Sequence, residues 1–181
     1  MDFLAESKAG GIGVLVSPRT GEDAGYKSLL KLTATLALQE KGTVRVLDCG
    51  NRFDVYQIAR LIRRQTPLLT ETLNQISVAR AFTCYQVVTL FEQIPVTDEP
   101  KIVIDLLATF YDENVSLQEG HRLLNIVLGR LDEMRPLAPI LISVYPPPQP
   151  ERNSMVRVLC NAADHVLIHE PPPTYYAQPL F

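Results

Sequence analysis

The sequence predicts an α/β fold of the doubly wound type, in which helices cover both faces of a mostly parallel sheet. Short, continuously apolar runs, typical of strands buried on both faces, alternate with longer segments of helical periodicity. No internal repeat interrupts that alternation, and 181 residues suffice for one domain with a sizeable core. We therefore expect a single domain over residues 1–170, followed by a proline-rich and aromatic tail over residues 171–181.

The predicted strands are the apolar runs, and several of them end in a polar residue. They lie at residues 12–16, 43–48, 76–79, 101–105, 139–144 and 165–168. Asp48 and Asp105 close the second and fourth of these runs.

The predicted helices carry apolar residues at helical spacing and lie between the strands. They cover residues 29–41, 53–64, 85–94, 117–134 and 152–162. Gly42 is a plausible stop for the first helix, and arginines near the end of the second suit its dipole. The proline run at residues 145–150 lacks amide donors, so we expect a stiff exposed loop there.

The composition excludes several classes of protein. A formal net charge of −3 gives no general attraction to nucleic acid or anionic lipid, so such a contact needs a local basic patch. No run of about 18 apolar residues is present, and the first residues do not resemble a secretory signal. Cys49, Cys84 and Cys160 have irregular spacing that suits neither a disulfide framework nor a zinc site. These features predict a cytoplasmic protein without a membrane partner.

The segment after the first strand has the outline of a phosphate-binding loop. The stretch from Gly21 to Ser28 matches G-x-x-x-x-G-K-[ST] except that Tyr26 takes the place of the second glycine. The candidate nucleotide-binding residues are therefore Gly21, Gly25, Tyr26, Lys27 and Ser28. A side chain at position 26 intrudes where the loop amides should meet the phosphates, so the motif is a degenerate one.

Acidic residues in this loop oppose phosphate binding further. Glu22 and Asp23 place negative charge where phosphates would lie. In a second register, with Gly21 at the end of the loop, the same two carboxylates fall where the lysine and the Ser or Thr belong. Neither alignment gives a complete phosphate-binding motif.

The order and spacing of three further segments resemble the ATPase core of the RecA-like recombinases. The spacing from Lys27 to Asp48 is similar to that of the family. Residues 78–83 (VARAFT) resemble its third-strand motif, and residues 102–109 (IVIDLLAT) resemble its magnesium-strand segment. The resemblance covers nearly the whole chain and implies a RecA-like P-loop NTPase fold.

The resemblance implies roles for some residues and losses at others. Lys27 would hold nucleotide phosphates, Ser28 would ligate magnesium, and Asp105 would act on the metal through water. Gly50 stands where the family has the glutamate that activates water. Ser143 and Val144 stand where the family has a polar pair that senses the γ-phosphate.

These losses predict a pseudo-ATPase rather than an enzyme. We expect a non-hydrolysing paralogue that acts as a protein-binding or regulatory module in DNA recombination or repair, without a required cofactor. Its partner would be a recombinase, another ATPase or a second copy of the chain. The main alternative is a DNA-dependent ATPase that still binds ATP and magnesium, and a MinD-like P-loop protein that has lost its site is a third.

The two family loops that face DNA give little support to DNA binding. The first would be the acidic stretch at residues 112–114, and the second the proline run, with Arg152 as its only early cation.

Other features allow two interpretations each. Lys27, Asp105 and Arg80 are ligands or ordinary structural groups, Cys49 is a reactive or an inert thiol, and the tail is an anchor or a loose end. The arginines at positions 60, 63 and 64 form a small anion or nucleic-acid patch or a solvated helix end.

Overall fold

The computed structural model describes residues 10–18, 24–39 and 42–169. Its strands form one sheet, in which every pairing is parallel, in the order β3-β2-β4-β5-β1-β6. The strands are β1 (Gly11–Val16), β2 (Val44–Asp48), β3 (Ile76–Arg80), β4 (Lys101–Ile104), β5 (Pro139–Val144) and β6 (His165–Ile168). The predicted α/β class is confirmed, and each predicted strand is present.

Helices connect these strands, as the alternation of patterns predicts. They are α1 (Ala24–Ala37), α2 (Val55–Arg63), α3 (Leu69–Leu73), α4 (Cys84–Gln93), α5 (Leu117–Met134) and α6 (Asn153–Ala162). The predicted start of the first helix at residue 29 is wrong, since α1 begins at Ala24 and so includes most of the presumed loop. The short helix α3 is absent from the sequence-based prediction. None of the described helices is both long and apolar enough to cross a membrane.

The sheet separates two apolar cores. On one face, Leu29 of α1 and Ile58 and Ile62 of α2 pack with Val46 of β2, all fully buried. On the other face, side chains of α4, α5 and α6 pack together, including Phe91 and Leu124. Helices on both faces of a parallel sheet are compatible with a doubly wound fold.

A crevice is expected where neighbouring strands send the chain in opposite directions. From β2 the chain continues to β3 on one side, whereas from β4 it continues to β5 on the other. Ligands of open α/β sheets bind outside the carboxyl ends of two such strands. Here those ends carry Asp48, the last residue of β2, and Asp105, the residue after β4.

Candidate nucleotide site at the carboxyl edge of the sheet

The start of α1 lies tightly against the end of β1. A Cβ added at Gly25 would come within 2.8 Å of the Ser17 Cβ and 3.0 Å of its Oγ, so only glycine fits without a shift. Lys27 and Ser28 follow in the first turn of α1 and have exposed side chains. Gly21, also assigned to this loop, lies outside the described residues. Gly25 therefore has a packing role, and its nucleotide role stays a prediction.

Tyr26 turns inwards and fastens the loop that follows β2. Its side chain is only 9% exposed. The hydroxyl donates to the carbonyl of Arg52 and accepts from the N–H of Asp54 at 3.1 Å. Burial raises the pKa of the phenol, although the hydrogen bond from Asp54 and the charge of Arg52 act in the opposite direction. The residue that replaces the second glycine is thus an integral part of the core.

Arg52 bridges Tyr26 and Asp105. Its guanidinium carbon lies 4.6 Å from the centre of the Tyr26 ring, a distance at which the cation interacts with the ring face. The same guanidinium donates to Oδ2 of Asp105 at 3.0 Å. The positive charge of Arg52 therefore lies in the crevice between the ends of β2 and β4, paired with Asp105, the residue predicted to act on the metal.

Asp105 is engaged through both carboxylate oxygens. Its Oδ1 accepts from the Ser143 hydroxyl at 3.1 Å, and its N–H donates to the same hydroxyl at 2.9 Å. The residue is 4% exposed and has a φ of 50°, in the left-handed region that few residues other than glycine adopt. In this arrangement Asp105 is an ion-pair partner and loop anchor, and its assignment with Ser28 to a metal stays a prediction.

Gly50 is the position where the resemblance places the glutamate that activates water. A Cβ added there would come within 2.6 Å of the Asp105 Cβ and 2.9 Å of its Oδ2. Because real Cβ atoms do not approach so closely, any side chain at position 50 requires Asp105 to move. Position 50 therefore carries no carboxylate, and a side chain there would collide with Asp105 as it is placed.

Asp48 holds the loop that follows β2 through hydrogen bonds to its backbone. Its side chain is completely buried and accepts from the N–H groups of Arg52 at 2.9 Å and Phe53 at 3.0 Å. Arg80 completes the cluster, because its Nε lies 2.9 Å from Asp48 Oδ2 and its Nη2 donates to the carbonyl of Phe53 at 3.0 Å. Arg80 therefore has a structural ion-pair role.

The cysteine and the DNA-facing loops can also be placed. Cys49 is buried, and burial together with the charges of Asp48 and Asp105 raises the pKa of its thiol, which describes an inert thiol. Arg152, the presumed cation of the proline loop, is 6% exposed. Its guanidinium donates to the carbonyls of Phe110, Asp112 and Val115 at 2.6–3.0 Å, so it holds the preceding loop in place.

Sequence reasoning brought the right elements to this edge but missed the residues that determine its chemistry. Arg52 and Asp48 were not assigned to the site, although Asp48 ends a buried strand in the same way as Asp105. Within the described chain, no hydrogen bond or ion pair joins Lys27 to Asp105. Instead, Lys27 lines a cleft between α1 and α2.

Comparison with known proteins gives no family assignment. No protein-family model matches the chain, and no curated protein matches it significantly. The argument for function therefore depends on the residues at this edge and on the resemblance of the motifs.

Proposed function

We propose that this chain is a RecA-like paralogue that does not hydrolyse ATP and acts by binding a protein partner in DNA recombination or repair. The observation that carries this proposal is the position of Arg52, between the Tyr26 ring and the Asp105 carboxylate. The family and the process are supported by the resemblance of residues 78–83 and 102–109, which is an argument from analogy.

The contacts of Arg52 oppose nucleotide hydrolysis in a specific way. Phosphoryl transfer depends on a metal ion placed against the phosphates and on a group that orients the attacking nucleophile. Here a fixed guanidinium already neutralises the carboxylate that would act on the metal. Breaking a partly buried pair of this kind costs on the order of a few kcal/mol. The second requirement fails at Gly50, where Asp105 fills the space of a side chain.

Titration calorimetry with Mg-ATP and Mg-ADP tests this proposal. We expect no heat of binding from the wild-type chain and none from Tyr26→Gly, because Arg52 still pairs with Asp105. Tyr26→Gly combined with Arg52→Ala opens the crevice, so this variant should bind nucleotide without hydrolysing it. Circular dichroism and thermal unfolding establish that each variant is folded before titration.

One observation favours the alternative of an ATP-binding enzyme: Lys27 and Ser28 are both exposed in the first turn of α1. Micromolar binding of Mg-ATP by the wild-type chain, lost in Lys27→Met, would refute the proposal and establish this alternative. ATP turnover stimulated by single-stranded DNA would assign it to the DNA-dependent ATPases.

The partner is tested by function rather than by capture. A recombinase from the same cell is assayed for ATP hydrolysis and strand exchange, with and without this chain. Sedimentation of the chain alone tests whether the partner is a second copy. A change in recombinase activity that persists in Lys27→Met supports a regulatory module that does not use nucleotide. No change in activity and no self-association would remove the regulatory part of the proposal.

A further inference from the structure

A cleft lies on the face of the sheet that α1 and α2 cover. The two helices enclose an open cleft of about 470 Å³. Lys27 and Lys31 of α1 form one wall, and Arg60 and Arg64 at the end of α2 form the other. Leucine side chains of both helices also line the cleft. The cleft is separate from the Arg52–Asp105 pair. The sequence allowed a small anion or nucleic-acid patch at Arg60, Arg63 and Arg64, but did not indicate a cleft shared with α1.

The charges of the cleft are unbalanced. Among the described residues that line it, four are cationic and Asp54 is the one carboxylate. Asp54 is already occupied as the N-cap of α2, where it accepts from the N–H groups of Tyr56 and Gln57 at 2.8 and 3.2 Å. In the described chain no salt bridge involves the four cations, whereas Arg122, Arg130 and Arg135 on and after α5 are all paired. Asp54 offsets part of the positive charge, because the hydrogen bond from Gln57 and also the charge of Arg60 lower the pKa of its carboxyl. The described lining still has an excess of positive charge, in a chain of net charge −3.

The cations form two rows along the helices. Lys27 and Lys31 are four residues apart on α1, and Arg60 and Arg64 are four residues apart on α2 and its C-cap. Residues at this spacing are neighbours about 6 Å apart along the axis, and like charges there destabilise a helix by a few tenths of a kcal/mol. An extended anion that runs along both rows would relieve this repulsion.

An aromatic side chain stands beside the basic rows. Tyr56 also lines the cleft, one turn before Arg60 on the same side of α2, and it is 84% exposed. A basic groove with an exposed aromatic ring is the combination that binds single strands, because phosphates contact the cations and a base stacks on the ring. An acidic peptide would need the cations only. We propose that the α1–α2 cleft binds single-stranded nucleic acid, with Tyr56 as the stacking residue.

Fluorescence anisotropy with labelled oligomers of about 20 thymidines or uridines tests this site, since single-stranded sites cover roughly 4–16 nucleotides. Four phosphate contacts predict that log K falls against log salt concentration with a slope of about −3. Arg60→Gln should reduce the magnitude of that slope by about 0.7. Tyr56→Ala should weaken binding about tenfold at fixed salt and leave the slope unchanged.

Matched controls are available on the opposite face of the sheet. Arg157 is exposed on α6, and Tyr85 is 53% exposed on α4. Arg157→Gln and Tyr85→Ala should both leave binding within about twofold of wild type. All substituted side chains are exposed, so folding is expected to persist, and circular dichroism checks it.

Several results would overturn the proposal. These are no binding at low salt, equal losses in the controls and the cleft variants, or equal affinity for a duplex of the same length. Binding of labelled polyglutamate that is as tight and does not depend on Tyr56 would identify an acidic polymer instead. Different affinities of the thymidine and uridine oligomers would assign the site to DNA or to RNA. Lys27 is left out of the decisive variants because it also belongs to the proposed nucleotide loop, so this test and the nucleotide titration can fail independently.

Discussion

Gly50→Ala is the substitution that tests the described geometry of the site most directly. Apolar carbon atoms in contact lie about 3.5–4.0 Å apart. The Cβ of an alanine at position 50 would lie 2.6 Å from the Asp105 Cβ, an overlap of about 1 Å. Overpacking of this size costs about 1–3 kcal/mol. Asp105 has little freedom to move away, because its φ of 50° is already unusual and its carboxylate pairs with Arg52 and Ser143.

We expect Gly50→Ala to lower the free energy of unfolding by about 3 kcal/mol, since displacing Asp105 also weakens its hydrogen bonds. For a chain of this size that corresponds to a fall in melting temperature of about 6–12 °C. Urea denaturation measures the change. Gly129→Ala is the matched control, because a Cβ added at Gly129 in α5 meets nothing within 4 Å. That control should be stabilised by about 0.5–1 kcal/mol, the ordinary gain for this change inside a helix.

A double-mutant cycle identifies the cause of the effect. Asp105→Gly removes the Cβ and the carboxylate that collide with position 50, and glycine adopts a positive φ readily. In that background Gly50→Ala should lose at least 1 kcal/mol of its cost. An unchanged cost in the Asp105→Gly background, or a Gly50→Ala variant as stable as wild type, would refute the steric reasoning. If the reasoning holds, Gly50→Glu should not confer ATP hydrolysis, because the new side chain would displace Asp105, the residue proposed to act on the metal.

Three further predictions follow from buried groups. Arg152→Met leaves three backbone carbonyls without their donor and should cost about 3 kcal/mol in urea unfolding, whereas Arg157→Met should stay within about 0.5 kcal/mol of wild type. Burial raises the pKa of the Tyr26 phenol above its usual value of 10.0, so the folded state favours the neutral phenol. This contribution to stability is present below the unfolded-state pKa and is lost as the pH rises through the folded-state pKa. The difference in free energy of unfolding between wild type and Tyr26→Phe should therefore shrink over that pH range. Cys49→Ser should leave the rate of thiol labelling of the folded protein unchanged, because this thiol is buried and its pKa is raised. Equal losses of stability in Arg152→Met and Arg157→Met would contradict the first prediction. A stability difference between wild type and Tyr26→Phe that does not change with pH would contradict the second, and slower thiol labelling of Cys49→Ser would contradict the third.

The fold was predictable because its strands have a strong local signal. Apolar runs such as the one at β1 are buried on both faces, and burial of this kind favours a continuously apolar sequence. The errors are local as well. The prediction placed the start of the first helix after Lys27, because the G-x-x-x-x-G-K-[ST] pattern assigns Gly25 and Tyr26 to a loop. Helix α3 has five residues, too few to show a helical period.

The site was less predictable because its determining contacts join distant parts of the chain. Arg52 and Asp105 are 53 residues apart in sequence, and no spacing rule connects a loop arginine to a carboxylate after another strand. A signal was nevertheless present. Both Asp48 and Asp105 end strands that flank the crevice, and two buried carboxylates at one edge require cations nearby. Arg52 and Arg80 are the arginines that follow β2 and end β3, so a search for partners of these carboxylates could have found them.

The departures from the nucleotide-binding pattern depend on one another. The Tyr26 ring contacts the guanidinium of Arg52, that guanidinium neutralises Asp105, and Asp105 fills the space that a side chain at Gly50 would need. These residues therefore form one continuous chain of contacts. Tyr26→Gly alone leaves the Arg52–Asp105 pair in place, which is why the nucleotide titration requires Tyr26 and Arg52 to be changed together. This connected set of contacts supports the proposal that the crevice is a structural core and does not hydrolyse nucleotide.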